Sequence, residues 1–207
     1  MSEAIAQMAD LSRTGTAVPL DRGSSLRDEN TAKLGMWIFL GSWAMLFAGL
    51  FFTYGAIREA TARWPPAGLP RLPLGLPALN TLALLASSAL LQLGLSRTRR
   101  GERAALAVFG AFSLGLIFLS LQLVVWTQVW KSGMTVTGGP YPSVFYGLTA
   151  FHALHVLVGL AALFVLWIGC ASGRIGAARH LALSLWTLYW HFVGAVWLII
   201  FASVYLA

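Results

Sequence analysis

Five long apolar segments, separated by short turn-rich links, constrain this chain more than any other feature. A helix needs about 20 mostly apolar residues to cross roughly 30 Å of hydrocarbon, and each segment is long enough. The links are rich in Gly, Pro and basic residues, which is typical of turns rather than of separate domains. The sequence therefore predicts an all-α integral membrane bundle of five transmembrane helices over residues 33–207. The predicted spans are about 34–57, 76–95, 104–130, 143–171 and 181–206.

Composition supports a membrane protein and excludes a soluble globular domain. Hydrophobic residues make up 58% of the chain and charged residues only 10%, too few to cover a soluble surface. Residues 1–32 are polar, mix both charge signs and contain no apolar core of the length found in signal peptides. We expect them to form a polar tail that is poorly ordered at its start.

The positions of the basic residues predict the orientation in the membrane. The net charge is +7, but the basic residues lie between apolar segments, so they indicate topology and not nucleic-acid binding. One side carries only Arg58, Arg63, Arg71 and Lys131, and the remaining Lys and Arg residues fall on the side of the N-terminus. By the positive-inside rule the N-terminus is cytoplasmic and the C-terminus lies outside.

Acidic residues are missing from the interior of all five predicted spans. All seven lie in the tail, in links or at a span end: Glu3, Asp10, Asp21, Asp28, Glu29, Glu59 and Glu102. Secondary transporters and proton pumps usually depend on carboxylates within the membrane. The pattern therefore disfavours a stand-alone transporter, although that alternative stays open.

Three histidines fall within predicted spans. His152 and His155 share a helix face because they are three residues apart, and His191 lies in the last span. Imidazoles bind haem and metals, and they also contact partner subunits, lipids or a proton path. Because no carboxylate accompanies them, we expect neutral packing groups that hydrogen-bond to a neighbouring helix or contact a subunit. Gln122 is placed in the same class, and no metal, cofactor or catalytic residue is expected in this chain.

Basic and aromatic residues near the span ends are candidates for lipid contact. Arg58 and Lys131 end the first and third spans, and Arg63 and Trp64 lie in the link that follows the first. Such cations commonly extend towards the membrane interface or bind lipid headgroups. The sequence predicts lipid or headgroup contacts at these four residues.

Several ordered motifs resemble one family. "KLGMWIFLGSWAMLFAGLFFTY" is similar to its first retained helix, and "WPPAGLP" followed by "LPALNTLALLASS" resembles its Trp-Pro-Pro-Gly loop and next helix. "LSLQLVVW" is similar to its Leu-Gln helix end, "GGPYPSVFYGLTAFHALHVLVGL" is the most specific match, and "YWHFVGAVWLIIFASVYL" resembles its terminal helix. From about Lys33 onward the chain resembles cytochrome c oxidase subunit III in its short five-helix bacterial form.

The resemblance implies a role. Members are accessory subunits of respiratory haem–copper terminal oxidases: they pack on catalytic subunit I, bind no haem or copper themselves, hold phospholipid and are associated with oxygen access. It implies a multi-pass protein of a bacterial inner membrane, with haem and copper in the partner subunit. Alternatives are subunit III of a quinol oxidase or of a nitric-oxide-reductase-associated complex, or a stand-alone channel or transporter.

This chain departs from the family pattern at four positions that usually carry acids. The family usually has glutamate at the positions of Trp43, Val125 and Ser184, and aspartate at that of Gly194. A role in proton uptake that depends on those carboxylates is therefore not expected here, whereas packing and lipid roles do not require them. Replacing buried acids by apolar or small residues also removes a desolvation cost.

Overall fold

A computed structural model of the chain describes residues 22–61, 74–177 and 180–206, with side chains from residue 27 onward. These residues form five helices and no strand, and all five helices are long and apolar enough to cross a membrane. The predicted fold class, an all-α bundle of five helices able to span a membrane, is confirmed. The helices are α1 (Arg22–Glu59), α2 (Gly75–Arg99), α3 (Ala105–Lys131), α4 (Pro140–Ala171) and α5 (Leu181–Ile200), which continues as a π-helical turn over Phe201–Leu206.

The first helix begins at Arg22, within the segment that the sequence predicts to be a polar tail. Its polar first turns are supported locally: Lys33 and Glu29 form an ion pair with an N–O distance of 3.4 Å, and the Thr31 hydroxyl donates to the Arg27 carbonyl. Pairs four residues apart stabilise a helix without burial, which explains why helix continues beyond the apolar stretch. The expected poor order at the start of the tail falls on residues 1–21, outside the described residues.

The described part of the chain divides into two units, one up to Trp37 and the other from Ile38 onward. In the second unit α2, α3, α4 and α5 form a closed ring in which α2 packs on α3, α3 on α4, α4 on α5 and α5 on α2. Short links make consecutive helices of this ring antiparallel. The ring encloses the core of the bundle.

The part of α1 that belongs to the second unit is attached to the ring through large side chains. The Trp43 and Phe47 rings contact rings on α4, and the Tyr54 hydroxyl donates to the Ser203 carbonyl at 2.6 Å. In its most apolar 18-residue stretch only 11% of residues are buried, against 33–44% in the other four helices. Most residues of this stretch are therefore open to lipid or to other chains.

Two glycines allow one tryptophan to pack closely inside the ring. A Cβ atom on Gly159 of α4 would lie 2.6 Å from the Trp190 ring, and one on Gly115 of α3 would lie 2.9 Å from it. Trp190 is fully buried, and its indole N–H donates to the Ser87 hydroxyl at 3.0 Å. That hydroxyl donates in turn to the Ala111 carbonyl at 2.7 Å. The absence of side chains at the two glycines therefore lets one tryptophan of α5 pack against α3 and α4 while it bonds to α2.

Candidate functional site

A buried polar layer joins three parts of the ring. The Asn80 amide on α2 donates to the Gln122 side-chain oxygen on α3 at 3.3 Å, and the Gln122 amide donates to the Tyr205 hydroxyl at 3.4 Å. Next to it, the Trp197 indole donates to the Thr81 hydroxyl at 3.0 Å. Such bonds hold helices together within a membrane. Gln122, predicted to be a buried polar residue, is the middle member of this layer.

His152 lies at the centre of the ring and is 1% exposed. Its ring is surrounded by aromatic groups of three helices, with centroid distances of 6.4 Å to Phe47, 6.0 Å to Phe118 and 5.5 Å to Trp197. Neither ring nitrogen has a hydrogen-bond partner among the described residues. The side chain therefore acts here by shape and aromatic contact, and not through the interhelical hydrogen bond that the sequence leads us to expect.

His155 lies one turn further along α4, between α4 and α1. Its Nδ1 donates to the Phe151 carbonyl of its own helix at 2.8 Å. The edge-on ring of Trp43 lies 4.3 Å away, centroid to centroid, and the Phe47 ring 5.1 Å away. Trp43 stands where the family pattern has an acid, so an aromatic contact occupies the side of His155 that faces α1.

His191 lies away from the other two histidines, on the outer surface between α5 and α2. Its Nε2 donates to the side-chain oxygen of Gln92 on α2 at 3.3 Å. The ring is half-buried and Gln92 is exposed. Of the three histidine side chains, that of His191 is thus the one whose described hydrogen bond reaches a neighbouring helix.

The four positions that lack the family's acids do not form one cluster. Val125 is buried in α3, and the Ser184 hydroxyl on α5 accepts from the Arg99 guanidinium at 3.3 Å. Gly194 is buried against α2, where a Cβ atom would lie 3.5 Å from the Ser88 hydroxyl oxygen. Together with Trp43, these residues are spread over three helices, and the Trp43 ring contacts the ring of His155.

A groove of about 880 Å³ opens on the outer surface between α3 and α4. Its walls are mostly apolar and aromatic, and Lys131 lies at its edge. The Tyr146 hydroxyl donates to the Met134 carbonyl at 3.0 Å, and the Trp126 indole donates to the Thr149 hydroxyl at 3.1 Å, so two wall rings are fixed. The lining residues are Leu123, Trp126, Thr127, Trp130, Lys131, Val136, Ser143, Tyr146, Gly147 and Ala150.

The other predicted lipid contacts are placed less completely. Arg58 is half-buried in the last turn of α1. Arg63 and Trp64 lie outside the described residues. The groove itself has no signature in the sequence, because its residues become neighbours only when α3 and α4 pack.

Metal-ligating side chains do not gather in the described part of the chain. Residues 22–61, 74–177 and 180–206 hold no group of three or more His, Cys, Asp or Glu able to bind one ion. The histidines face aromatic rings, a backbone carbonyl or an amide. What this arrangement does is pack helices and present an outer surface that combines apolar areas with a few polar groups.

Two features of the site are missed by sequence reasoning. The hydrogen-bond partner of His191 is Gln92, and Asn80 completes the layer around Gln122; both are polar residues inside a predicted apolar span. A polar side chain within a predicted span indicates a buried or interhelical contact, because such groups are costly in hydrocarbon. Gln92 and Asn80 could both have been selected from the sequence on that ground.

Comparison with known proteins gives a consistent match. A family model described as cytochrome c oxidase subunit III matches residues 9–207. Cytochrome c oxidase subunit 3 of Synechocystis is 37% identical over 175 residues, which cover 83% of this chain and 74% of that protein. The protein of the same name from Thermostichus vulcanus is 32% identical, with 93% and 94% covered. A probable cytochrome c oxidase subunit 3 of Mycobacterium bovis is 34% identical, with 93% and 95% covered.

Proposed function

We propose, since this chain belongs to the cytochrome c oxidase subunit III family, that it is an accessory, non-catalytic subunit of a haem–copper terminal oxidase. The observation that carries the proposal is the family match over residues 9–207, together with the 37% identity to the Synechocystis protein. In this role the chain packs on the catalytic subunit of the oxidase, and haem and copper belong to that partner. The complex as a whole reduces oxygen to water.

The location follows from the same reasoning. Five helices able to cross a membrane make the chain a multi-pass membrane protein. The cyanobacterial and mycobacterial relatives favour the inner membrane of a bacterium. The excess of Lys and Arg at the α2–α3 end, where Arg97, Arg99, Arg100 and Arg103 cluster, favours a cytoplasmic N-terminus.

Phospholipid is the ligand that the groove between α3 and α4 suits best. Its apolar walls match acyl chains, and the exposed Lys131 ammonium at its edge matches an anionic headgroup, because cations at helix ends attract such groups. Exposed Trp130 and half-buried Trp126 lie near the same helix end, where amphipathic rings favour the membrane interface. An oxygen route through this chain stays a prediction of the family resemblance.

Purification through an affinity tag on this chain tests the function. In mild detergent the tagged chain should bring down a haem-bearing membrane protein, and reduced-minus-oxidised spectra should show haem in the complex. A dinuclear copper sequence motif in a co-purifying subunit would identify cytochrome c as electron donor and its absence would favour a quinol oxidase. Recovery of the chain without any haem protein would contradict the proposal and favour a stand-alone membrane protein.

Lipid binding is tested by comparing two charge-removing variants in the purified complex. Lys131→Gln should lower the amount of anionic phospholipid that survives delipidation, because the headgroup loses its cation. Arg100→Gln, at the opposite end of the ring, serves as the matched control and should leave the lipid content unchanged. Equal lipid retention in both variants would exclude Lys131 from headgroup binding.

A further inference from the structure

One outer face of the ring carries polar groups at a depth where lipid cannot satisfy them. This face, which we call the α2–α5 seam, consists of Gln92 and Arg99 on α2 and Ser184 and His191 on α5. Two hydrogen bonds cross it, from Arg99 to Ser184 and from His191 to Gln92, both 3.3 Å long. Each pair lies seven residues from the other along both helices, which corresponds to roughly 10 Å at 1.5 Å per residue.

The depth of the inner pair follows from that spacing. Arg99 is in the last turn of α2, where a charged side chain reaches the membrane interface. Gln92 and His191 therefore lie about 10 Å further in, within the hydrocarbon layer. Gln92 is exposed there, and His191 is only half-buried.

The hydrogen bond between the two residues leaves part of their capacity unused. It uses the oxygen of Gln92 and Nε2 of His191, whereas the Gln92 amide group has two N–H donors and the imidazole has a second nitrogen. The hydroxyls of three other outward-facing residues, Ser42, Thr53 and Thr127, differ in that they donate to carbonyls of their own helices. Amide N–H donors that face hydrocarbon without acceptors are costly, so lipid is a poor neighbour for this seam.

Small side chains flank the polar pair. Ala89 on α2 and Ala195 on α5 share helix faces with Gln92 and His191, respectively, and both are exposed. Small residues allow another transmembrane helix to approach closely enough for interhelical hydrogen bonds. The seam thus combines close access with unused donors at one depth.

We propose that the α2–α5 seam is the surface through which this chain docks a transmembrane helix of the haem-bearing oxidase subunit. The docked helix offers a hydrogen-bond acceptor, such as a backbone carbonyl or a hydroxyl, to the Gln92 amide. The proposal rests on the proposed function for the identity of the partner. The placement of the interface rests on the seam itself.

The effect of one substitution on the affinity for the oxidase distinguishes a docked seam from a lipid-facing seam. In lipid, Gln92→Leu removes an unsatisfied amide and leaves the association with the oxidase unchanged. At an interface, the same change leaves the partner's acceptor buried without a donor, and the affinity should fall roughly five- to tenfold. Leu116→Ala, on the exposed surface of α3, is the control and should have no effect.

The test uses the intact complex. In the first measurement, a photo-crosslinking amino acid is placed at Ala89 or at Ala195, and as a control at Leu116. In the second, tagged wild-type, Gln92→Leu and Leu116→Ala chains are purified with their partner, and the haem-bearing subunit that remains bound after detergent dilution is quantified. We expect both seam positions to crosslink to the haem-bearing subunit and Leu116 to give no such product. Of the two substitutions, only Gln92→Leu should lower the amount of partner recovered, as a roughly five- to tenfold loss of affinity requires.

Other outcomes overturn the proposal. If the wild-type chain co-purifies with haem, two results overturn the seam as the docking surface. One is a set of crosslinks from the seam only to lipid or to a second copy of this chain. The other is full retention of the haem-bearing subunit by the Gln92→Leu chain. Failure of the wild-type chain to co-purify would instead overturn the proposed function, so the two failures are distinguishable.

Discussion

Adding one methyl group at Gly159 should destabilise the bundle because it has no free space. The new Cβ atom would lie 2.6 and 2.7 Å from two atoms of the Trp190 ring, whereas ordinary contacts begin at 3.4 Å. The ring would have to move by about 0.8 Å. It is held against Gly115 on another side and bonded to Ser87, so the movement disturbs α2 and α3 as well. Overpacking of this kind costs about 1–3 kcal/mol.

The size of the effect is measured against a matched variant. Gly147 lies on the same helix and has nothing within 4 Å of its would-be Cβ atom. Both substitutions gain the same helix propensity, up to about 1 kcal/mol, so the difference between Gly159→Ala and Gly147→Ala isolates the packing cost. We expect Gly159→Ala to be less stable by about 1–3 kcal/mol in unfolding by sodium dodecyl sulfate in mixed micelles, followed by circular dichroism.

A second substitution shows whether the indole is the cause. With Trp190→Leu in the background, the ring is gone and the difference between the two alanine variants should shrink towards zero. Equal stabilities of Gly159→Ala and Gly147→Ala in the wild-type background would refute the packing described for Trp190. An undiminished difference in the Trp190→Leu background would assign the cost to something other than the ring.

Three further outcomes are expected. Tyr54→Phe removes the hydroxyl that bonds to the Ser203 carbonyl at 2.6 Å, so the free energy of unfolding should fall by about 1 kcal/mol. The control Thr53→Val loses a bond within its own helix and should change the free energy of unfolding less. Equal losses in the two variants would argue against attachment of α1 through Tyr54. His152→Phe removes two buried nitrogens without partners among the described residues and should raise the free energy of unfolding by about 1 kcal/mol. A decrease measured in the same titration would contradict the assignment of His152 to packing. Carbodiimide reagents, which modify buried carboxyls, should label no peptide from the interior of the five spans, and mass spectrometry that finds one would contradict the predicted topology.

The secondary structure and number of spans could be predicted because both follow from local composition. A run of about 20 apolar residues has few alternatives to a transmembrane helix, and α2 to α5 begin and end close to the predicted limits. The helical turns from Arg22 to the first apolar stretch have no counterpart in the hydrophobic pattern, since they are stabilised by pairs such as Lys33 and Glu29 and not by hydrophobicity.

The partners of the polar side chains could not be predicted in the same way. Sequence spacing places His152 and His155 on one face of α4, but which helix meets that face depends on how five helices pack. The contact of Trp43 with His155 and the bond of His191 to Gln92 join residues about 100 positions apart. Such pairings depend on interhelical register, which periodicity within one segment does not contain.

In the role proposed above, this chain supports an oxidase without carrying its redox centres. To test this, the purified complex is dissociated with a stronger detergent and the chain is separated from its partner. Haem is then determined by pyridine haemochrome and copper by mass spectrometry in both fractions. We expect all haem and copper to stay with the partner, which should still reduce oxygen when supplied with electrons. Haem or copper bound stoichiometrically to this chain, or a partner fraction with full haem and copper but no oxygen reduction until the chain is returned, would contradict it.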